Sequence, residues 1–187
     1  MTKVVADMSV SLDGFVADSA DRVDAVFAWY GKPQPEHSPR EPNGEAEAMD
    51  LGVIVYGRRT FDVAHGWEGR HPTGAPVVVV THHVPEGWPR ENATVFFATD
   101  GIEAAMDQAR QIAGDKVIAL GSPSVIQQCV GLGLVDRIQV KVVPVLLGDG
   151  IWLFGTLPTG PIELADPEVT AGNGVTHLYY DVVRGDH

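Results

Sequence analysis

Lys116 to Gln128 reads KVIALGSPSVIQQ. The apolar run Val117 to Leu120 has the branched composition of a strand, Gly121 ends it, and Ser122 and Pro123 suit the N-cap and first residue of a helix. Gly121 allows close backbone approach, and free N–H groups at the helix start can hold an anion such as a pyrophosphate. Alone, the unit also reads as an ordinary turn between a strand and a helix.

The same alternation extends in both directions. Residues 4–12, 53–56, 77–81, 94–98, 137–145 and 175–183 read as further strands, and 58–64, 102–113 and 122–131 as helices. VVVV at 77–80 fits a strand buried on both faces. This pattern predicts an α/β fold with a mostly parallel sheet covered by helices, made mixed by an antiparallel C-terminal edge, because no helix separates the last two strands. The Pro-rich, charged segment Gly31 to Asn43 reads as an exposed loop within one domain spanning 1–187.

Composition narrows the function. With 13 Lys and Arg against 25 Asp and Glu, the net charge of −12 repels a phosphate backbone, which argues against nucleic acid as a partner. No apolar run reaches the roughly 20 residues that span a bilayer, and nothing resembles a signal peptide, so a cytoplasmic protein with no membrane partner is expected. Cys129, the single cysteine, reads as a buried thiol. Seven histidines include the pair His82 and His83, but their spacing does not match a metal site, and no metal is expected.

Two further features point to chemistry. In the first strand, alternation puts Asp7, Ser9, Ser11 and Asp13 on one face and Ala6, Met8, Val10 and Leu12 on the other. A central strand with a polar face suggests a ligand pocket; an edge strand would show that face to water. In VIVYGRRTF, 53–61, a strand ends at Gly57, and Arg58, Arg59 and Thr60 open a helix. Guanidinium groups beside a helix start suit a ribose 2′-phosphate, although two solvated arginines give the same pattern. GDG at 148–150 is either a hairpin turn or a loop closing over a cofactor. No GxGxxG fingerprint is present.

Taken in order, SLDGFVA (11–17), VIVYGRRTF (53–61), PVVVVTHH (76–83), VIALGSPSVIQQCVGLGLVDRI (117–138) and VVPVLLGDGIWLF (142–154) resemble the dihydrofolate-reductase-like superfamily. Within it, the chain looks most like the reductase domain of the bifunctional riboflavin-biosynthesis deaminase/reductase and its stand-alone relatives. The resemblance implies a three-layer fold and NADPH bound across the carboxyl ends of the strands. It puts Gly57, Arg58, Arg59 and Thr60 on phosphates, Thr81 and His82 on the adenosine side, and Gly121 with Ser122, Pro123, Ser124 and Val125 on the pyrophosphate and nicotinamide. Asp13 and Gly14 match the start of a mobile substrate loop. Two departures stand out: Gly121-Ser122 replaces the paired glycines often found in the family, and Val26 stands where dihydrofolate reductases carry an acid, leaving Asp24 two residues away.

The function expected from these readings is hydride transfer from NADPH to a small heterocycle, as in a phosphoribosylaminouracil reductase. The alternatives are a dihydrofolate reductase and a non-catalytic NADPH-binding protein of the same fold. Asp13 is the first candidate for handling the proton, with Asp24 and Asp7 behind it and a bound water as the alternative. Asp7, Ser9, Asp13 and Trp29 are expected to meet substrate. A homodimer is expected as well, on the ground that the apolar strand VKVVPVLL would otherwise leave a sticky edge or face, and the resemblance points the same way.

Overall fold

The computed structural model describes residues 2–30, 49–155, 157, 159–172 and 174–183, so the loop expected at Gly31 to Asn43 lies outside the described residues. The elements run β1 (Val4–Ser11), β2 (Phe15–Ala17), α1 (Asp24–Phe27), β3 (Leu51–Gly57), α2 (Arg58–Val63), β4 (Val77–Val80), β5 (Val95–Ala98), α3 (Ile102–Ala113), β6 (Val117–Leu120), α4 (Pro123–Gly131), β7 (Arg137–Val143), β8 (Ile151–Trp152), β9 (Glu168–Gly172) and β10 (Val175–Asp181).

Eight strands form one sheet in the order β5-β4-β3-β6-β1-β7-β10-β9, and β2 pairs with β8 in a small second sheet. Every pairing from β5 to β7 is parallel; β10 runs antiparallel to β7, and β9 antiparallel to β10. The alternating elements and the antiparallel edge thus follow the expectation from sequence, and β1 is central. β7 is not an edge, because β1 and β10 flank it. The sticky edge offered as the reason for a dimer is therefore absent there. Among the described residues the outermost strand on that side is β9, where Val169 is 56% exposed.

Period-two alternation sends neighbouring residues to opposite faces of the sheet. Val4, Ala6 and Val10 of β1, Val53 and Val55 of β3, and Ile118 and Leu120 of β6 join one core with Ala105, Met106, Ala109 and Ala113 of α3 and Ile126 and Cys129 of α4. Burial pushes the Cys129 thiol up to about 12, so it stays protonated and inert. The intervening residues, including Ile54, Tyr56 and Ala119, face the other way, where α2 and a left-handed turn at 65–69 pack. The result is a three-layer sandwich. Leu12 departs from its expected place in the core and is 67% exposed, because β1 ends at Ser11 and the chain turns there. The Ser11 hydroxyl accepts the Phe15 N–H at 2.9 Å and so closes that turn.

Candidate active site

Two adjoining cavities of about 550 and 520 Å³ share Gly57, Arg59 and Ser124. The larger lies on the sheet face to which alternation sends Asp7, Ser9, Tyr56 and Lys141, and Gly121 borders it at the end of β6. On its floor the Lys141 ammonium group donates to the Asp7 carboxylate from the neighbouring strand. The Lys141 side chain is 2% exposed and that of Asp7 22%, so the pair is sheltered and opens to solvent only on the carboxylate side. Ser9 is buried and accepts the Trp29 indole N–H at 3.2 Å.

Aromatic groups form one wall. The rings of Tyr56 and Trp67 lie 4.8 Å apart, and His71 lies 5.7 Å from Tyr56 and 5.2 Å from Trp67. Trp67 reaches this place from a run in which His65, Gly66, Trp67, Glu68 and Gly69 all have positive φ. Such a conformation is costly for residues with a Cβ. Gly121 makes room for the Tyr56 ring, since a Cβ there would lie 2.1 Å from Tyr56 Cε1. Burial, then the Asp7 carboxylate, raises the Tyr56 pKa and keeps its phenol protonated.

The helix starts meet beside this wall. Ser122 sits at the N-cap of α4 but leaves that role to turn sideways: its hydroxyl accepts the Gly57 N–H at 2.9 Å and lies 2.7 Å from Thr60 Oγ1. Gly57, at the start of α2, has no side chain to cap with. Both helices therefore begin without a side-chain cap next to the shared rim, where their first N–H groups have no intrahelical acceptor. Arg59 bridges the rim to Asp21 at 2.5 Å. Arg58 is held by Asp62 at 2.8 Å and by the His83 carbonyl at 3.2 Å, and it lines the smaller cavity with Thr81, His82 and Val125.

The expected cofactor residues Gly57, Arg58, Arg59, Thr60, Thr81, His82, Gly121, Ser122, Pro123, Ser124 and Val125 all border one cavity or both, as do Asp7 and Ser9. Asp13, Asp24 and Trp29 border neither. Asp13 instead accepts the Leu147 and Gly148 N–H groups at 3.1 and 2.7 Å, and so fastens the GDG loop to the end of β1. The Ser11 hydroxyl leads the interactions that hold its carboxyl below the usual range. Asp24 is exposed at the start of α1, and Trp29 packs with Val143 and Val175 while holding Ser9. Tyr56, Trp67 and His71 escaped the sequence reading, which offered Lys141 or Arg137 as a basic residue for a phosphorylated substrate without placing either in the pocket. Lys141 left a signal, because Arg137, Gln139 and Lys141 alternate with apolar residues as Asp7 and Ser9 do.

Groove, helix starts and central polar strand together define a reductase-type dihydrofolate-reductase-like fold. The chain belongs to the RibD C-terminal domain family, whose profile matches residues 2–175. A Shewanella sp. PV-4 structure described as a riboflavin biosynthesis protein aligns with a TM-score of 0.72 and 25% identity, covering 98% of this chain and 100% of that one. The diaminohydroxyphosphoribosylaminopyrimidine deaminase/5-amino-6-(5-phosphoribosylamino)uracil reductase of Thermotoga maritima aligns at 0.62 and 14% identity, over 97% of this chain and 57% of that one. Dihydrofolate reductase from Enterococcus faecalis, complexed with NADP(H) and RAB-propyl, aligns at 0.60 and 16% identity, over 96% of both chains.

Proposed function

We propose that the protein is an NADPH-dependent reductase acting on a C=N or C=O bond of a small planar heterocycle of the aminouracil kind. The observation that carries this reading is the sheltered Lys141–Asp7 pair on the floor of a cavity that adjoins two uncapped helix starts. The donor set fits a dinucleotide phosphate: uncapped N–H groups and Arg59 at the shared rim suit a pyrophosphate, and Arg58, Thr81 and His82 suit a 2′-phosphate in the smaller cavity. NADPH, when bound, supplies the hydride.

Reduction of such a bond adds a hydride to carbon and a proton to nitrogen or oxygen. Lys141 holds a proton at Nζ and gives it to the substrate heteroatom; Asp7, open to solvent, holds Lys141 in place and faces the water that reprotonates it. Ser9 and the Tyr56–Trp67–His71 wall orient the ring. The proton role expected of Asp13 and Asp24 passes to Lys141 and Asp7 because only the latter border the cavity. We place the protein in the cytoplasm as a homodimer, the open β9 edge being the surface that favours pairing.

Fluorescence titration is expected to show NADPH bound roughly tenfold to a hundredfold more tightly than NADH, and Arg58→Ala to erase the difference. Equal affinities would remove NADPH from the reading. A panel of aminouracils and pterins that leaves NADPH unoxidised would remove the reductase activity. Light scattering at twice the 20.0 kDa of one chain tests the dimer.

A further inference from the structure

One hydrogen bond at His71 has a fixed direction and points to its tautomer. Its Nδ1 lies 3.3 Å from the Thr73 backbone N–H, which can only donate, so Nδ1 is an acceptor and carries no proton. With Nδ1 an acceptor, Thr73 Oγ1, 2.8 Å from the same nitrogen, is the donor in that contact while it accepts the Ala75 N–H. In a neutral ring the proton then sits on Nε2, and burial pushes the His71 pKa down to about 4, which keeps the ring neutral in ordinary conditions. Nε2, 3.2 Å from Tyr56 Oη, is therefore the donor in that contact. The Tyr56 hydroxyl accepts from His71, and its own hydrogen meets no acceptor among the described residues. Tyr56 borders the larger cavity beside Asp7 and Lys141.

We propose that Thr73 and His71 are positioning residues that act through Tyr56, committing its hydroxyl to donate to a carbonyl oxygen or ring nitrogen of the bound molecule. The inference rests on the reductase reading for its setting and narrows the substrate to planar rings that present such an acceptor beside the Lys141–Asp7 pair. Stacking against Trp67 and His71 selects the flat shape, and the directed hydroxyl selects the acceptor edge. With the opposite tautomer the Tyr56 hydroxyl would turn its proton toward His71, and the wall would favour a donor edge.

The full chain is tested first without substitution. Nitrogen-15 spectra of His71 at neutral pH are expected to show Nδ1 bare and Nε2 protonated; a proton on Nδ1 overturns the relay. Pteridine-2,4-dione then serves as a fluorescent planar probe with acceptors, and naphthalene as a planar probe without them. Tyr56→Phe is expected to weaken the dione about fivefold while leaving naphthalene unchanged. In a double-mutant cycle, Tyr56→Phe with His71→Leu is expected to cost the dione no more than Tyr56→Phe alone, and His71→Gln, which keeps an N–H donor, to recover part of the His71→Leu loss. Additive losses, or equal losses for both probes, assign His71 to packing and overturn the proposal, as does a dione that fails to bind the unsubstituted chain at millimolar concentration. NADPH affinity is measured in parallel: failure to bind NADPH with the dione coupling intact ends the reductase reading and leaves the relay standing.

Discussion

Lys141 on β7 is buried against Asp7 on β1, one charge from each of two adjacent parallel strands. Removing one member of a buried pair typically costs about 3–5 kcal/mol. The two members differ here, because Lys141 is the more deeply buried. Asp7→Ala is expected to approach that cost and to lower the melting temperature by about 6–20 °C for a chain of this size. Lys141→Met, which leaves a partly hydrated carboxylate and an apolar side chain of similar length, is expected to be milder. Thermal unfolding of both variants checks the order, and turnover is expected to fall in both.

Asp13→Asn tests the loop-fastening role. The substitution leaves one acceptor oxygen where the carboxylate offers two to Leu147 and Gly148. Faster amide exchange at those two residues and a lower melting temperature are expected, with NADPH affinity unchanged. The folded-state pKa of Asp13 lies below its ordinary value, so its stabilisation is present above about pH 3.8 and is lost as the pH falls through the lowered value. Unaltered exchange at both amides would release Asp13 from this role.

His71 carries a dependence of the same sign in a higher pH window. Its folded pKa of about 4 lies below the ordinary 6.5, so between those values the unfolded chain binds a proton that the folded chain refuses. Stability is expected to decline as the pH drops from about 6.5 toward 4 and to level off below. His71→Gln should remove that part of the slope, which denaturant unfolding at several pH values will show.

Gly121→Ala places a methyl group against the Tyr56 ring. Overpacking of this kind costs about 1–3 kcal/mol, and here the ring is also expected to move. Both a lower unfolding midpoint and a changed Tyr56–Trp67 fluorescence signature are expected; a variant with unaltered stability would mean that the ring has room to spare.

The strands that compose the sheet were legible because short apolar runs such as 77–80 and 117–120 follow one local rule, and the helix after Gly121 because Ser122 and Pro123 mark its start. β2 and β8, three and two residues long, are too short to show a period. The turn at 65–69 was not legible, since His65, Trp67 and Glu68 adopt a left-handed conformation against their local preference, held by packing from elsewhere. Asp7 and Ser9 could be singled out from one strand's alternation, whereas their partners required the sheet order. The loop contacts of Asp13 were not legible either, because its place at the carboxyl end of β1 says nothing about the loop 134 and 135 residues later that occupies its oxygens.

The central position of β1 also sets a timetable for synthesis. This strand is synthesised well before both of its neighbours in the sheet, β6 and β7, which lie in the second half of the given sequence. Asp7 precedes Lys141 by 134 residues, which at roughly 5–20 residues per second is a wait of about 7–27 seconds. Until then the Val4–Ser11 segment is a strand with one apolar face and two open edges, a candidate for chaperone capture, and the floor of the larger cavity closes late in folding.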